Sequence, residues 1–205
     1  MRVAPAGLFV WALQESGPGE ETFRLGTDLA ALTHGHRTGS LTAGVFASLV
    51  QSLTDGRSLG EALETAKAFL RLEPGYEETL SAMENAERLA AEALPHNIAL
   101  SQLGQGWIAE EALAIAIYCA LVARDFQHGV ILAVNHDGDS DSTGAITGNL
   151  LGAMLGIENI PQVWLQPLEL RAVIAEMAED LFAFPTWDVD DGAEAQMIWE
   201  KYPGF

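Results

Sequence analysis

A chain of 205 residues, 49% hydrophobic and 19% charged, is neither disordered nor fibrous and suits a single globular domain, read as residues 1–205. Its 10 Lys and Arg against 29 Asp and Glu leave a formal charge of −19, which repels phosphate and so argues against nucleic acid and anionic membrane surfaces as partners. No apolar run reaches the roughly 18 residues that a spanning helix needs, and MRVAPAGLFVWALQESG carries no convincing secretory signal, so a cytoplasmic protein with no membrane partner is expected.

In chain order, residues 40–54 read as the first clear helix. The second, SLGEALETAKAFLRL at 58–72, opens on Ser58 with Glu61 three residues later, the pattern of a capping box, and repeats Leu59, Leu63, Ala66, Phe69 and Leu70 at helical spacing. A third starts after Pro74 and Gly75 and runs to about Leu94, where Pro95 stops it; its many glutamates form a solvated face. Ile108 to Ala123 and Ser140 to Leu155 are more apolar and are predicted to be central. Cys119, the only cysteine, falls inside ALAIAIYCALVA, where a buried, inert thiol is expected. GVILAV at 129–134 fits a strand or a buried helix equally. Pro161, Pro167 and Pro185 punctuate the last third, which holds one more helix at 168–182 and a surface turn at TWDVDDG with Asp188, Asp190 and Asp191. With no sustained alternation of β-formers, the fold class is all-α.

Between the 129–134 run and the helix from Ser140 lies NHDGDSDSTG, with Asp137, Asp139 and Asp141 at every second position. Three like charges so close need either water or a cation between them. A turn on Gly138 leading to Ser140 or Ser142 as N-cap would use one or two such oxygens. DGDSDST supplies three carboxylates and three hydroxyls, the hard-oxygen density that Mg²⁺, Mn²⁺ or Ca²⁺ requires. A calcium loop of the EF-hand type fails, because its sixth position would be Ser142 instead of Gly and its twelfth Gly148 instead of Glu. Gly144, Gly148 and Gly152 then recur on one helical face, where another helix is expected to approach closely and make the loop rigid.

HDGDSDSTGAITGNLLGA resembles the C-terminal metal motif of the ADP-ribosylglycohydrolases, in which GD-x-D-[ST] precedes a glycine-spaced helix. LTHGHRTGSLTAG at 32–44 is similar to that family's THGHP segment, with Arg37 where proline is usual, and LGQGWIAEEALAIAIYCAL at 103–121 is similar to its G-x-GW-x-AEEALA segment. The three lie in the family's order and spacing over nearly the whole chain.

The resemblance implies an all-α, orthogonal helical bundle with two Mg²⁺ or Mn²⁺ ions that hydrolyses the glycosidic bond between ADP-ribose and an acceptor. Its substrate would be an ADP-ribosylated protein or a small-molecule ADP-ribose conjugate. Asp139 and Asp141 would be the catalytic metal ligands, with Asp141 shared between the ions and Ser142 supplying a hydroxyl where many members have threonine. His34 lies in a segment that borders the ADP-ribose pocket in the family and would bind substrate. A glycine-rich loop, an acidic loop and a TDD-type motif normally precede these segments, and the glycine-rich loop runs into a Met-Arg-x-x-Pro stretch that MRVAP at 1–5 matches. On that reading Met1 is an internal methionine, the chain carries half of a binuclear site, and apolar faces left uncovered favour self-association. The alternative expectation is a non-catalytic helical module that binds a metal or an ADP-ribose-like ligand.

Overall fold

A computed structural model describes residues 1–13, 19–190 and 192–203; these form twelve α-helices and two 3-10 turns, with no strand among the described residues. None of the helices is long and apolar enough to cross a membrane.

The centre is α3 (Arg37–Thr54), with fourteen buried residues distributed around its whole circumference. A helix apolar on every side must be enclosed, and α3 is enclosed by α1 (Ala4–Ala12), α2 (Glu20–Ala31), α4 (Leu59–Leu70), α7 (Ala109–Val122) and α9 (Ser140–Leu155). Small residues set the closest approach. A Cβ placed on Gly26 of α2 would lie 2.9 Å from Ala43 O, and one on Gly44 of α3 would lie 2.7 Å from Phe23 O, so α2 and α3 pack nearly backbone to backbone.

α4 begins as its sequence predicts. The Ser58 hydroxyl accepts from Glu61 N–H at 3.3 Å while the Glu61 carboxylate accepts from Ser58 N–H at 2.9 Å. α5 (Glu77–Ala91) packs on α7 and is tied to α4 by Lys67, whose buried ammonium donates to Glu87 at 2.9 Å and also pairs with Glu64. Burial alone would lower the Lys67 pKa, but the two carboxylates outweigh it and hold the ammonium above its ordinary value.

α6 (His96–Ser101) leads into the turn before α7, which is buried from Ala112 to Ala120. Cys119 is fully buried there, and desolvation pushes its thiol up to about 12. The run at 129–134 is part of a helix, α8 (Phe126–Val134), started by Asp125, whose carboxylate accepts from His128 N–H at 2.7 Å.

The glycine spacing of α9 behaves differently from expectation. Its buried side runs through Thr143, Ile146, Thr147, Leu150 and Leu151. A Cβ on Gly144 would meet Val134 Cγ1 of α8 at 2.6 Å, whereas Cβ atoms on Gly148 and Gly152 would find no described atom within 4 Å. Close approach therefore holds at Gly144 alone, because the packed stripe of α9 turns away from the other two.

The last third is peripheral: α10 (Gln162–Leu165), α11 (Arg171–Ala183) and α12 (Ala193–Lys201). α11 has no buried residue and leans on α1 through the ring pairs Trp11–Phe182 and, just beyond its end, Phe9–Phe184. Val173, Ile174, Met177 and Phe182 are exposed on it, as is Trp107 before α7, so apolar surface is uncovered among the described residues.

Candidate functional site

The acidic loop joins α8 to α9, and its capping differs from the sequence expectation. The N-cap of α9 is Asp139; Ser140 and Ser142 both lie within the first turn, and the Asp139 side chain makes no capping bond. Its carboxylate is therefore not consumed by the helix end. Hydrogen bonding with the Asp141 carboxyl first, then with the Ser142 hydroxyl, together with the nearby His136, holds Asp139 below the ordinary carboxylate range. Asp141 in turn accepts from Ser142 N–H at 2.6 Å. Asp139, Asp141 and Ser142 are thus one cluster at the helix N-terminus, where the macrodipole favours negative charge. Asp137 is exposed in the bend before it.

Two anchors hold the loop. Thr143 Oγ1 donates to Ala133 O at 2.7 Å, and because a hydroxyl has one proton, His136 Nε2 at 2.9 Å is the donor to Thr143. This links the end of α8 to the start of α9. The second anchor is the turn before α7: Asp139 N–H donates to Gln105 O at 2.8 Å, and a Cβ on Gly138 would overlap that same carbonyl. The turn has left-handed glycines at Gly104 (φ +99°) and Gly106 (φ +79°). A Cβ on Gly106 would lie 2.8 Å from Thr143 Cγ2, so the turn is wedged against α9. Gln105 N–H and Gly106 N–H donate to the Glu111 carboxylate at 3.0 and 3.1 Å. Trp107 stays 67% exposed, with its indole N–H donating to Gln105 Oε1 at 3.1 Å.

The THGHR segment reaches the same end of the bundle, since a Cβ on Gly39, in the first turn of α3, would stand 4.0 Å from the Ala109 Cβ that begins α7. The N-termini of α3, α7 and α9 are therefore neighbours, although the three sequence segments are far apart in the chain. His34 is exposed just before α3; its Nδ1 lies 2.8 Å from Thr33 Oγ1 and its N–H donates to Ala30 O at 3.0 Å. The fold brings Asp139, Asp141 and Ser142 together and places His34 on the preceding loop without a hydrogen bond to them.

Two carboxylates and a hydroxyl are the right kind of donors for a hard divalent cation, but Mg²⁺ takes about six oxygens, so they amount to one side of a coordination shell. No group of three His, Cys, Asp or Glu side chains suited to holding an ion is found among the described residues. Asp188 and Asp190 are exposed, and Asp190 N–H donates to the Asp188 carboxylate at 3.2 Å, a local turn contact. Asp191 lies outside the described residues. Sequence reasoning missed Glu111: nothing in AEEALA distinguishes it from Glu110, and only the turn folded over it does.

A family model described as ADP-ribosylglycohydrolase matches residues 1–189. Among curated proteins, the chain is 36% identical over 72 residues to the ADP-ribosylarginine hydrolase Tri1 of Serratia proteamaculans, covering 35% of this chain and 20% of that protein. It is 34% identical over 61 residues to the ADP-ribosyl-[dinitrogen reductase] glycohydrolase of Rhodospirillum rubrum, covering 30% and 21%. It is 27% identical over 130 residues to the ADP-ribosylhydrolase ARH3 of Bos taurus, covering 58% and 32%. In these matches the chain spans between 20% and 32% of the relatives' lengths.

Proposed function

The chain belongs to the ADP-ribosylglycohydrolase family, and from that premise we propose that it contributes to a hydrolase cleaving the glycosidic bond between ADP-ribose and an acceptor. The acceptor would be carried by a protein or a small-molecule conjugate. Residues 1–205 act as one domain in this reading, with Asp139 and Asp141 as the catalytic carboxylates. Asp139, Asp141 and Ser142 would hold their share of two Mg²⁺ or Mn²⁺ ions, Asp141 serving both. Bound there, such ions supply Lewis-acid polarisation and a template for substrate oxygens.

The chain's own residues do the positioning. The carboxylates fix the cluster's charge at the start of α9, and the bond from Asp139 N–H to Gln105 O, with Gly138 close against the same carbonyl, keeps that start from shifting. His34 would bind substrate from the loop before α3, where Thr33 occupies its Nδ1. The observation that carries the reading is the Asp139 carboxylate, which stands at the N-cap position and caps nothing.

The test is calorimetric titration of the 205-residue chain with Mn²⁺, wild type against Asp141→Asn. Weak binding that drops about tenfold or more in the variant is expected, since a charged ligand becomes a neutral one. Undetectable binding by the folded wild type, or equal binding by the variant, would refute the metal assignment. ADP-ribose release from an ADP-ribosylated protein by this chain, measured in parallel, would argue against a module that binds without turnover.

A further inference from the structure

The proposed site raises the question of what keeps the Asp139 carboxylate in place, since it is neither buried nor engaged as a helix cap. The backbone of Asp139 is fixed at one point from outside its own loop and helix, the 2.8 Å bond from its N–H to Gln105 O. Gln105 sits between two left-handed glycines, a backbone arrangement with little intrinsic rigidity because glycine samples many conformations. Something must hold that turn. Among the described residues, the acidic side chain hydrogen-bonded to it is Glu111, two residues into the first turn of α7, whose carboxylate accepts from both Gln105 N–H and Gly106 N–H. A Cβ on Gly104 would overlap the Glu111 carboxylate, so the turn lies directly on it.

We propose that Glu111 is a positioning residue for the acidic cluster: it clamps the Gly104–Gly106 turn, and the turn presents Gln105 O to the Asp139 N–H. The proposal deepens the metal reading above and names a residue that touches none of the ligands. Two neighbouring amide N–H groups converge on one carboxylate oxygen, an anion-binding arrangement that a neutral amide oxygen also satisfies but an alkyl group does not. That sets the pattern of variants. Glu111→Gln keeps an acceptor in place and preserves the clamp; Glu111→Ala leaves two amides and Gln105 free to move; Glu111→Asp draws the acceptor back by one methylene and weakens the clamp partially.

Amide hydrogen exchange read residue by residue on the full chain tests the clamp without reference to any metal. Glu111→Ala is expected to speed exchange at Gln105, Gly106 and Asp139 by about tenfold or more, the loss of a hydrogen bond to a charged acceptor. Leu63 and Leu70 in α4, packed elsewhere in the core, should keep wild-type rates. Glu111→Gln should exchange within about twofold of wild type at all of these positions. If Glu111→Ala does not fold, Glu111→Asp carries the test, with faster exchange at Asp139 as the expected result. Asp139 exchange unchanged in Glu111→Ala, or in Glu111→Asp where that variant decides, would overturn the proposal, as would a Glu111→Gln variant as fast as Glu111→Ala. Mn²⁺ titration of the same variants is the second readout, with weaker binding in Glu111→Ala and recovery in Glu111→Gln. If wild type binds no Mn²⁺ while the exchange pattern holds, the metal reading falls and the clamp stands; if wild type binds and Glu111→Ala binds equally well, the clamp does not serve the cluster and the proposal falls.

Discussion

Replacing Gly148 and Gly152 of α9 by alanine is expected to stabilise the protein. Both residues lie in a regular helix with nothing described within 4 Å of a new Cβ, and neither has a positive φ. Glycine inside a helix costs about 0.8–1 kcal/mol relative to alanine, mostly through the freedom it regains on unfolding. Gly148 is mid-helix and should give most of that; Gly152, whose carbonyl accepts the closing bond from Gly156 N–H at 2.9 Å, lies in the last turn and should give about half. The double variant should therefore gain about 1.2 kcal/mol, a rise of roughly 2–5 °C in melting temperature for a chain of this size. Gly144→Ala is the control: its Cβ would press on Val134 Cγ1, so the helical gain is offset by repacking and the net change should be near zero or unfavourable. Thermal and urea melts at several protein concentrations, with sedimentation in parallel, measure all three. Loss of stability in Gly148→Ala at low concentration would refute the reasoning, because it would mean that another part of the protein packs on that face; a loss that grows with concentration would show a second copy seated there.

The remaining expectations are local. Ser58→Ala should cost about 1 kcal/mol by removing the cap of α4. Hydrogen bonds from the Ser58 hydroxyl and N–H hold Glu61 below its ordinary value of 4.5, so its contribution is present above that pH and lost as pH falls through the lower folded value; Ser58→Ala should flatten this part of the acid limb in pH-dependent urea melts, and an unchanged limb would count against the capping box. Cys119, fully buried with its thiol pushed up to about 12, should resist a disulfide reagent at pH 8 in the native protein and react at once in urea. Fast stoichiometric labelling of the native chain would show that α7 opens far more readily than its burial implies.

Features set by near neighbours were legible in the sequence. The helix expected to run to about Leu94 ends at Ala91, with Pro95 as the N-cap of α6, but the Ser58–Glu61 box and the enclosed character of α7 depend on residues within a turn or two, and the structure has both. So does the acidic cluster, whose three donors lie in one short stretch and therefore meet in any fold that turns there. Tertiary structure decided the rest. GVILAV has no period that separates strand from helix, and its state was settled by the cap at Asp125 and by packing on α9. The N-cap fell on Asp139 instead of a serine because Gln105, remote in sequence, takes the Asp139 N–H and fixes the backbone where α9 begins. Glycines identical on paper diverged for the same reason: Gly26 and Gly44 admit a neighbouring backbone, Gly138 admits a carbonyl, and Gly148 and Gly152 admit nothing. Glu110 and Glu111 are alike in sequence, and the difference between an ordinary glutamate and a clamp lies in which of them meets the two amides of the turn folded over the start of α7.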